Sequence, residues 1–307
     1  MARRGGPSFR AAPLRVRVPA TSANLGPGFD SLGLALALYD DVVVRVMDEP
    51  GLHIDVAGMG AASVPRNARN LVVKSMKATF RVLGGAPSGL EVVCANRIPH
   101  GRGLGSSAAA IVAGVIAARG LVVNGAERMD DDAALEFAAS LEGHPDNVAA
   151  CLRGGLTIAW TDERGAHAVG APVSPAIAPV AFVPGSTSST KAARKLLPET
   201  IGHADAARNA GRAALLVEAL RSRPDALMAA TEDSLHQPFR AESMPRSWAL
   251  LNELREAGIA AVISGAGPTV LALTPSDERP RAIEFERRGW SAMPLDIDTG
   301  GAQVLAL

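Results

Sequence analysis

Leu14, Val16 and Val18 alternate with Arg15 and Arg17, and Val42, Val44 and Val46 repeat the same period of two further along the chain. Successive side chains of a strand point to opposite faces, so this alternation predicts two half-buried strands. Between them residues 19–30 are dense in turn formers and short polar side chains, which predicts a loop. Residues 90–95 read as another strand, which runs through Pro99 into a glycine turn and then a helix over about 107–119. Residues 130–141 have helical spacing with acids at the start and a stop at Gly143 and Pro145, and a short helix is expected from Asp146. From 153 to 186 the chain is rich in Gly, Pro and Ala with short valine-bearing strands. That shift places a domain boundary at about 165, dividing 1–165 from 166–307. Downstream, helical spacing returns at 204–220, 225–235 and 247–257. Strands are expected at 260–263 and 269–273, joined by Ser264-Gly265-Ala266-Gly267-Pro268, with a last helix at about 278–288. Mixed helices and hairpin-type strands indicate an α+β fold rather than a doubly wound parallel sheet.

The composition narrows the classes. With 307 residues, 48% of them apolar, the chain is long enough for one large or two medium domains with a real core. Lys plus Arg and Asp plus Glu balance at 31 each, which gives no field to attract nucleic acid or an anionic membrane. The 4% aromatic content also argues against a base-stacking reader of nucleic acid. Arg3, Arg4 and Arg10 are expected in a solvated tail. Two cysteines, Cys94 and Cys151, make no disulfide framework and have no metal-ligand spacing, which fits a reducing cytoplasm. The first 20 residues lack a hydrophobic signal region and the longest apolar run, 108–118, is too short to span a bilayer. A cytoplasmic protein with neither nucleic-acid nor membrane partners is the expectation.

The chemistry begins at residues 99–110, Pro-His-Gly-Arg-Gly-Leu-Gly-Ser-Ser-Ala-Ala-Ala. Gly101, Gly103 and Gly105 let the backbone turn sharply and expose N–H groups, and the following helix aims its positive end at the same point. Ser106 and Ser107 add hydroxyls, one able to cap the helix and the other to meet a phosphate oxygen or a metal. Such a turn is suited to polyphosphate. Two other readings stay open on spacing alone. One is an ordinary strand-to-helix bend; the other is a dinucleotide fingerprint, since residues 103–108 fit G-x-G-x-x-A and Glu127 lies roughly 20 residues on. The second has a weak start, because nearly 100 residues of a different rhythm precede it. No Walker A sequence occurs.

Five segments together carry a family likeness: Pro19 to Leu36 (PATSANLGPGFDSLGLAL), Pro99 to Ala110 (PHGRGLGSSAAA), His144 to Val148 (HPDNV), Ser189 to Arg194 (STKAAR) and Ser264 to Leu273 (SGAGPTVLAL). The chain resembles the GHMP kinases, and within them the homoserine kinases. The resemblance implies two domains, the first like the second domain of ribosomal protein S5 and the second ferredoxin-like. It implies transfer of the γ-phosphoryl of ATP to the hydroxyl of L-homoserine, with Mg²⁺, in a protein that is commonly a homodimer. Pro99, His100, Gly101, Arg102, Gly103, Leu104, Gly105, Ser106, Ser107, Ala108 and Ala109 would cradle ATP, with Asn70 and Lys74 flanking the adenine. Ser107 and Glu136 map onto the metal ligands. Asn24 and Asp30 would take the ammonium end of homoserine, Arg194 and Arg240 its carboxylate, with His144, Gly265 and Gly267 in the same pocket and Thr190 positioning the reacting end. Asn147 stands 11 residues after Glu136, where other GHMP kinases often have an aspartate proposed as base. An amide takes no proton at neutral pH, so Asn147 is expected to orient the hydroxyl, which attacks without a strong general base. Read as residues alone, Glu136 is equally a solvent-facing helical glutamate and Asp30 a loop-capping aspartate.

Overall fold

A computed structural model describes residues 6–307, so Arg3 and Arg4 of the expected tail lie outside the described residues. Eleven strands run in chain order: β1 (Leu14–Ala23), β2 (Leu32–Met47), β3 (Gly51–Gly58), β4 (Gly89–Asn96), β5 (Leu156–Asp162), β6 (Gly165–Ala171), β7 (Val180–Pro184), β8 (Ala261–Ile263), β9 (Val270–Ala272), β10 (Trp290–Pro294) and β11 (Gln303–Leu305). The helices are α1 (Leu71–Val82), α2 (Ser106–Leu121), α3 (Gly125–Arg128), α4 (Asp131–Glu142), α5 (Asp146–Arg153), α6 (Thr190–Arg194), α7 (His203–Arg221), α8 (Leu227–Ala230), α9 (Gln237–Arg240), α10 (Pro245–Glu256) and α11 (Arg279–Ile283).

The period-two pattern sets the register of the first sheet. Leu14 faces Val44 and Val16 faces Val42 across the antiparallel β1–β2 pair, with Leu14, Val16, Val18, Val42 and Val44 all buried. On the opposite face Arg15 and Arg17 both bond the Asp41 carboxylate, Arg15 at 2.8 Å through Nε and Nη2. The loop expected at 19–30 is shorter than that. β1 continues to Ala23 after its register with β2 shifts between Pro19 and Ala20. A bulge tolerates a proline, which has no N–H to offer the ladder. The buried Thr21 that follows is held by its backbone N–H on Leu104 O at 3.1 Å, so packing overrides turn propensity here.

The sheet has seven strands, ordered β11-β1-β2-β4-β3 with β5 joined to β2 and β6 to β5. The boundary expected at about 165 falls on the β5–β6 hairpin turn, and both strands of that hairpin belong to this sheet. The chain therefore changes sheets after Ala171, and β11 returns at the end to pair with β1. The glycine and proline enrichment covers this hairpin turn and the connection after it. The second sheet, β10-β7-β9-β8, is antiparallel throughout. With α7 and α10 between β7 and β8, and α11 between β9 and β10, it is strand-helix-strand-strand-helix-strand, the ferredoxin-like arrangement. The one parallel pair among the described strands is β3–β4, which rules out the doubly wound sheet that a dinucleotide fingerprint needs.

α2 is apolar all round and buried on nearly every face, as befits a helix wrapped by the sheet, α1, α4 and α5. Gly114 permits the closest of these contacts. A Cβ there would stand 2.4 Å from Val72 O on α1. Asp130 caps α4 by accepting from Ala133 N, as its acidic start suggested. The helix expected at 225–235 stops early, as a 3-10 turn at Pro224–Ala226 and then α8. The reason is Asp233, whose carboxylate accepts from the N–H groups of Leu235, His236 and Gln237 and so starts a new turn. The helix expected at 278–288 is only the five residues of α11.

One substitution tests this packing with opposite signs at two sites. Gly114→Ala forces α1 and α2 apart and is expected to cost about 1–3 kcal/mol. Gly211→Ala in α7, with nothing within 4 Å of the new methyl group, is expected to gain up to about 1 kcal/mol. Denaturant unfolding of both variants against the parent reads both signs.

Candidate active site

The glycine turn is a left-handed stretch, with φ of +63° at Gly101, +79° at Gly103 and +70° at Gly105. Glycine is required for close approach as well as for conformation. A Cβ at Gly103 would lie 2.3 Å from Ser264 O and one at Gly105 1.9 Å from Thr21 Oγ1. Gly105 is the N-cap of α2 and brings no side chain to it. Ser106 and Ser107 lie inside the first turn, so neither caps the helix, in contrast to the expectation for one of them. The N–H groups at the start of α2 are thus left to a ligand, together with the helix dipole.

Two cavities meet at this helix end. The first, about 190 Å³, is polar: Gly101, Gly103, Gly105, Ser106 and Ser107 line one wall, and Asp30, His144, Asn147, Thr190, Arg194, Arg240, Gly265 and Gly267 the other. The second, about 300 Å³, is walled mainly by apolar groups, among them Val18, Val42, Val64, Pro65, Leu71, Val72 and Ala113. Ser106 and Ser107 border both, so the two cavities lie on either side of the start of α2. Of the residues expected on ATP, His100, Asn70 and Ala109 border the apolar half. Asn70 is also the N-cap of α1, accepting from Val72 N at 3.0 Å. Leu104 and Ala108 are buried behind the turn. Pro99, Arg102 and Lys74 line neither cavity. Lys74 is on the exposed face of α1, and the Arg102 guanidinium turns away to bond the carbonyls of Pro184, Gly185 and His100.

The expected metal ligand Glu136 is also elsewhere. A Cβ on Gly165 would touch its carboxyl at 2.8 Å, which puts Glu136 against the β5–β6 turn and outside both cavities. The carboxylate facing Ser107 is that of Glu142, which accepts from Ser107 Oγ at 2.8 Å and lines the polar cavity. Six residues rotate a helix by about 240°, so the two glutamates of α4 cannot share a face. Of the two, Glu142 is the one that faces Ser107 and the polar cavity. Burial raises the Glu142 carboxyl above its ordinary value, opposed by the Ser107 hydrogen bond and by His144.

At the far wall Arg194 and Asp30 form a two-point pair, 2.8 Å at each contact. Arg240 is buried beside them, stacked 5.4 Å over the Phe29 ring, with no carboxylate within 4.0 Å among the described residues. Asn24 spends its side chain on structure. Its Nδ2 donates to Gly265 O and its Oδ1 accepts from Asp30 N, each at 2.9 Å, which ties the 24–31 loop to the 264–268 turn. His144 Nδ1 bonds the buried Asp146 at 2.8 Å, and that bond raises its pKa despite partial burial. The same Asp146 oxygen accepts from Asn147 N at 2.7 Å, and Asn147 Oδ1 accepts from Thr21 Oγ1, also at 2.7 Å. Phe29, Thr21 and Asp146 were not singled out in the sequence, because their roles depend on contacts across the chain or on burial. Among the described residues no group of three or more His, Cys, Asp or Glu side chains could hold a metal ion.

Comparison with known proteins bears on the family of the chain. The family model for the GHMP kinases N terminal domain matches residues 70–155, and that for GHMP kinases C terminal matches 212–288. The homoserine kinase of Streptomyces avermitilis is 59% identical over 302 residues, covering 98% of this chain and 99% of its own. That of Clavibacter michiganensis is 52% identical over 296 residues, covering 95% and 93% respectively. Among solved structures, homoserine kinase from Cytophaga hutchinsonii superposes with a TM-score of 0.82 at 27% identity, over 99% of this chain and 100% of that one. The two sheets, the glycine turn and the full-length likeness agree: the chain belongs to the GHMP kinases, in their homoserine kinase branch, and is a phosphotransferase acting on an alcohol group.

Proposed function

We propose that the two cavities on either side of the start of α2 bind ATP and L-homoserine end to end, and that the homoserine hydroxyl attacks the γ-phosphate directly, without a strong general base. The observation that carries this reading is the junction itself: an apolar cavity and a charged cavity share Ser106 and Ser107 at a helix end free of any side-chain cap. The adenine would occupy the apolar half and the triphosphate would lie along Gly101 to Ser107, accepting from the free N–H groups.

The donor set fits Mg²⁺. Ser107 Oγ and the Glu142 carboxylate are hard oxygen donors 2.8 Å apart at the phosphate end. Mg²⁺ is ordinarily held by one or two carboxylates plus phosphate and water, so a larger protein cluster is not needed. When bound, it would neutralise charge on the phosphates. Ser107 and Glu142 are proposed as the residues that hold it.

At the acceptor end Arg240 and Arg194 would bind the homoserine carboxylate and Asp30 the ammonium group. A zwitterion entering between Asp30 and Arg194 replaces one ion pair by two without changing the net charge of the pocket. Thr190, at the first residue of α6, and Asn147 would flank the hydroxyl. Asn147 is an amide and His144 is engaged by Asp146, whose bond favours its charged form, so neither is suited to take the proton. The proton would leave late, to phosphate oxygen or water, which a loose transition state permits.

Four measurements test the reading. ADP release is expected to depend on L-homoserine; if other alcohols release ADP and L-homoserine releases no more than water does, the acceptor assignment is wrong. Glu142→Gln is expected to lower kcat at least tenfold and raise the Mg²⁺ needed, while Glu136→Gln stays within about twofold. Because burial raises the Glu142 carboxyl, the acid limb of kcat should lie above the ordinary glutamate value of about 4.3 and move to lower pH as Mg²⁺ is raised, since cation and proton compete for one carboxylate. Asn147→Ala is expected to retain activity within about 100-fold of the parent, less than loss of a general base commonly costs.

A further inference from the structure

His236 lies one turn before Arg240 and is buried, as are Gln237 and Arg240 around it. Its two ring nitrogens meet partners of opposite and fixed character. Nε2 stands 2.8 Å from the carbonyl oxygen of Gly26, which only accepts, so Nε2 carries the proton. Nδ1 stands 3.2 Å from Arg240 Nη1, which only donates, so Nδ1 is the bare lone pair. The ring stacks on Phe29 with centroids 5.1 Å apart, and the Arg240 guanidinium lies over the same phenyl ring. Arg240 Nε donates to Ala193 O at 3.3 Å, one residue before Arg194. Nη2 has no hydrogen-bond partner among the described residues, and Arg240 lines the polar cavity.

We propose that His236, held neutral in a single tautomer by Gly26, is the positioning residue that aims Arg240 at the substrate carboxylate. This rests on the reading of Arg240 given above. The charged groups facing the imidazole are Asp233 on its own turn, Arg240 on α9, and Asp30 across the pocket. Burial lowers its pKa, and Arg240 works in the same direction against the carboxylates of Asp233 and Asp30. Protonation at Nδ1 removes the acceptor and sets an imidazolium against a guanidinium, so Arg240 loses its aim as the pH falls. His144, the other histidine near the pocket, is shifted in the opposite direction and titrates at higher pH.

The test compares His236→Leu, which removes both ring hydrogen bonds, with His236→Gln, which offers a donor and an acceptor and does not titrate. Each is assayed on L-homoserine and on 3-aminopropan-1-ol, the same alcohol without the carboxylate. His236→Leu is expected to raise the homoserine KM about 10-fold to 100-fold, as loss of a hydrogen bond to a charged group commonly does, with the ATP KM and kcat within about twofold. kcat/KM on the aminoalcohol should not fall. His236→Gln should recover most of the loss and flatten the rise in homoserine KM expected of the parent at acid pH, below the ordinary histidine range because burial lowers the His236 pKa. If His236→Leu lowers kcat/KM equally on both alcohols, or the glutamine variant keeps the parent's pH profile, the proposal is overturned. Should the leucine variant fail to fold, the glutamine variant and the parent's profile decide alone. Arg240→Ala is run alongside: if it leaves the homoserine KM unchanged, the reading of Arg240 itself has failed, which differs from an effective Arg240→Ala beside an inert His236→Leu.

Discussion

The glycine turn and the 264–268 turn touch backbone to backbone, and the site depends on that contact. No side chain fits between Gly103 and the carbonyls of Ser264 and Gly267. The second domain also satisfies the carbonyls of the turn: Ser188 N donates to Gly101 O at 2.9 Å, Thr269 N to Arg102 O at 3.2 Å and Ser264 Oγ to Gly103 O at 2.6 Å. With three successive carbonyls bonded to the second domain, the turn is held in the conformation that leaves the first N–H groups of α2 uncapped. An unpaired polar group away from water is costly, so this division of donors and acceptors fixes the turn as firmly as glycine's freedom allows it. One contact thus joins the domains and leaves the start of α2 open for the proposed phosphate site.

The acceptor end is held to the same junction by side chains. Asn24, in the left-handed region at φ +68°, joins the Asp30 loop to Gly265, while Gly265 N donates back to Ala23 O at 3.0 Å. Arg240 is fastened to α6 through Ala193 O and to the 24–31 loop through Phe29. The groups proposed to recognise homoserine therefore come from loops and helices of both domains and meet only where the two turns meet. A chain segment from either domain alone would present half of a pocket.

Much of this was legible in the sequence where short-range rules apply. The alternation at 14–18 and 42–46, the glycine turn and the Asp130 cap each act within a few residues, and each is where its pattern put it. Asp30, Arg194, Arg240, His144 and Asn147 do line one cavity. What escaped depends on distance in space. The extension of β1 through Ala23 follows from burial under α2, the membership of β5 and β6 in the first sheet from pairing with β2, and the placing of Glu142 beside Ser107 from the rotation of α4. Lys74 and Arg102 show the same limit: a nearby charge in the sequence says little about the direction in which the side chain leaves the backbone.

The charges along the polar cavity bear on why position 147 carries an amide. Three acids line it, Asp30, Glu142 and Asp146, against two arginines and one histidine. Asp30 and Asp146 are already matched to Arg194 and His144, which leaves Glu142 and the uncapped helix end at the proposed phosphate site. A carboxylate in place of Asn147 would add a fourth anion beside Glu142 and the γ-phosphate, in a partly desolvated space where unit charges 4 Å apart interact by about 4 kcal/mol at an effective dielectric of 20. That repulsion would oppose ATP binding or raise the carboxyl's pKa until it was protonated and no longer a base. With an amide there, no fourth acid is added to a cavity whose three acids are balanced by two arginines and one histidine, which suits the proposed attack without a strong general base.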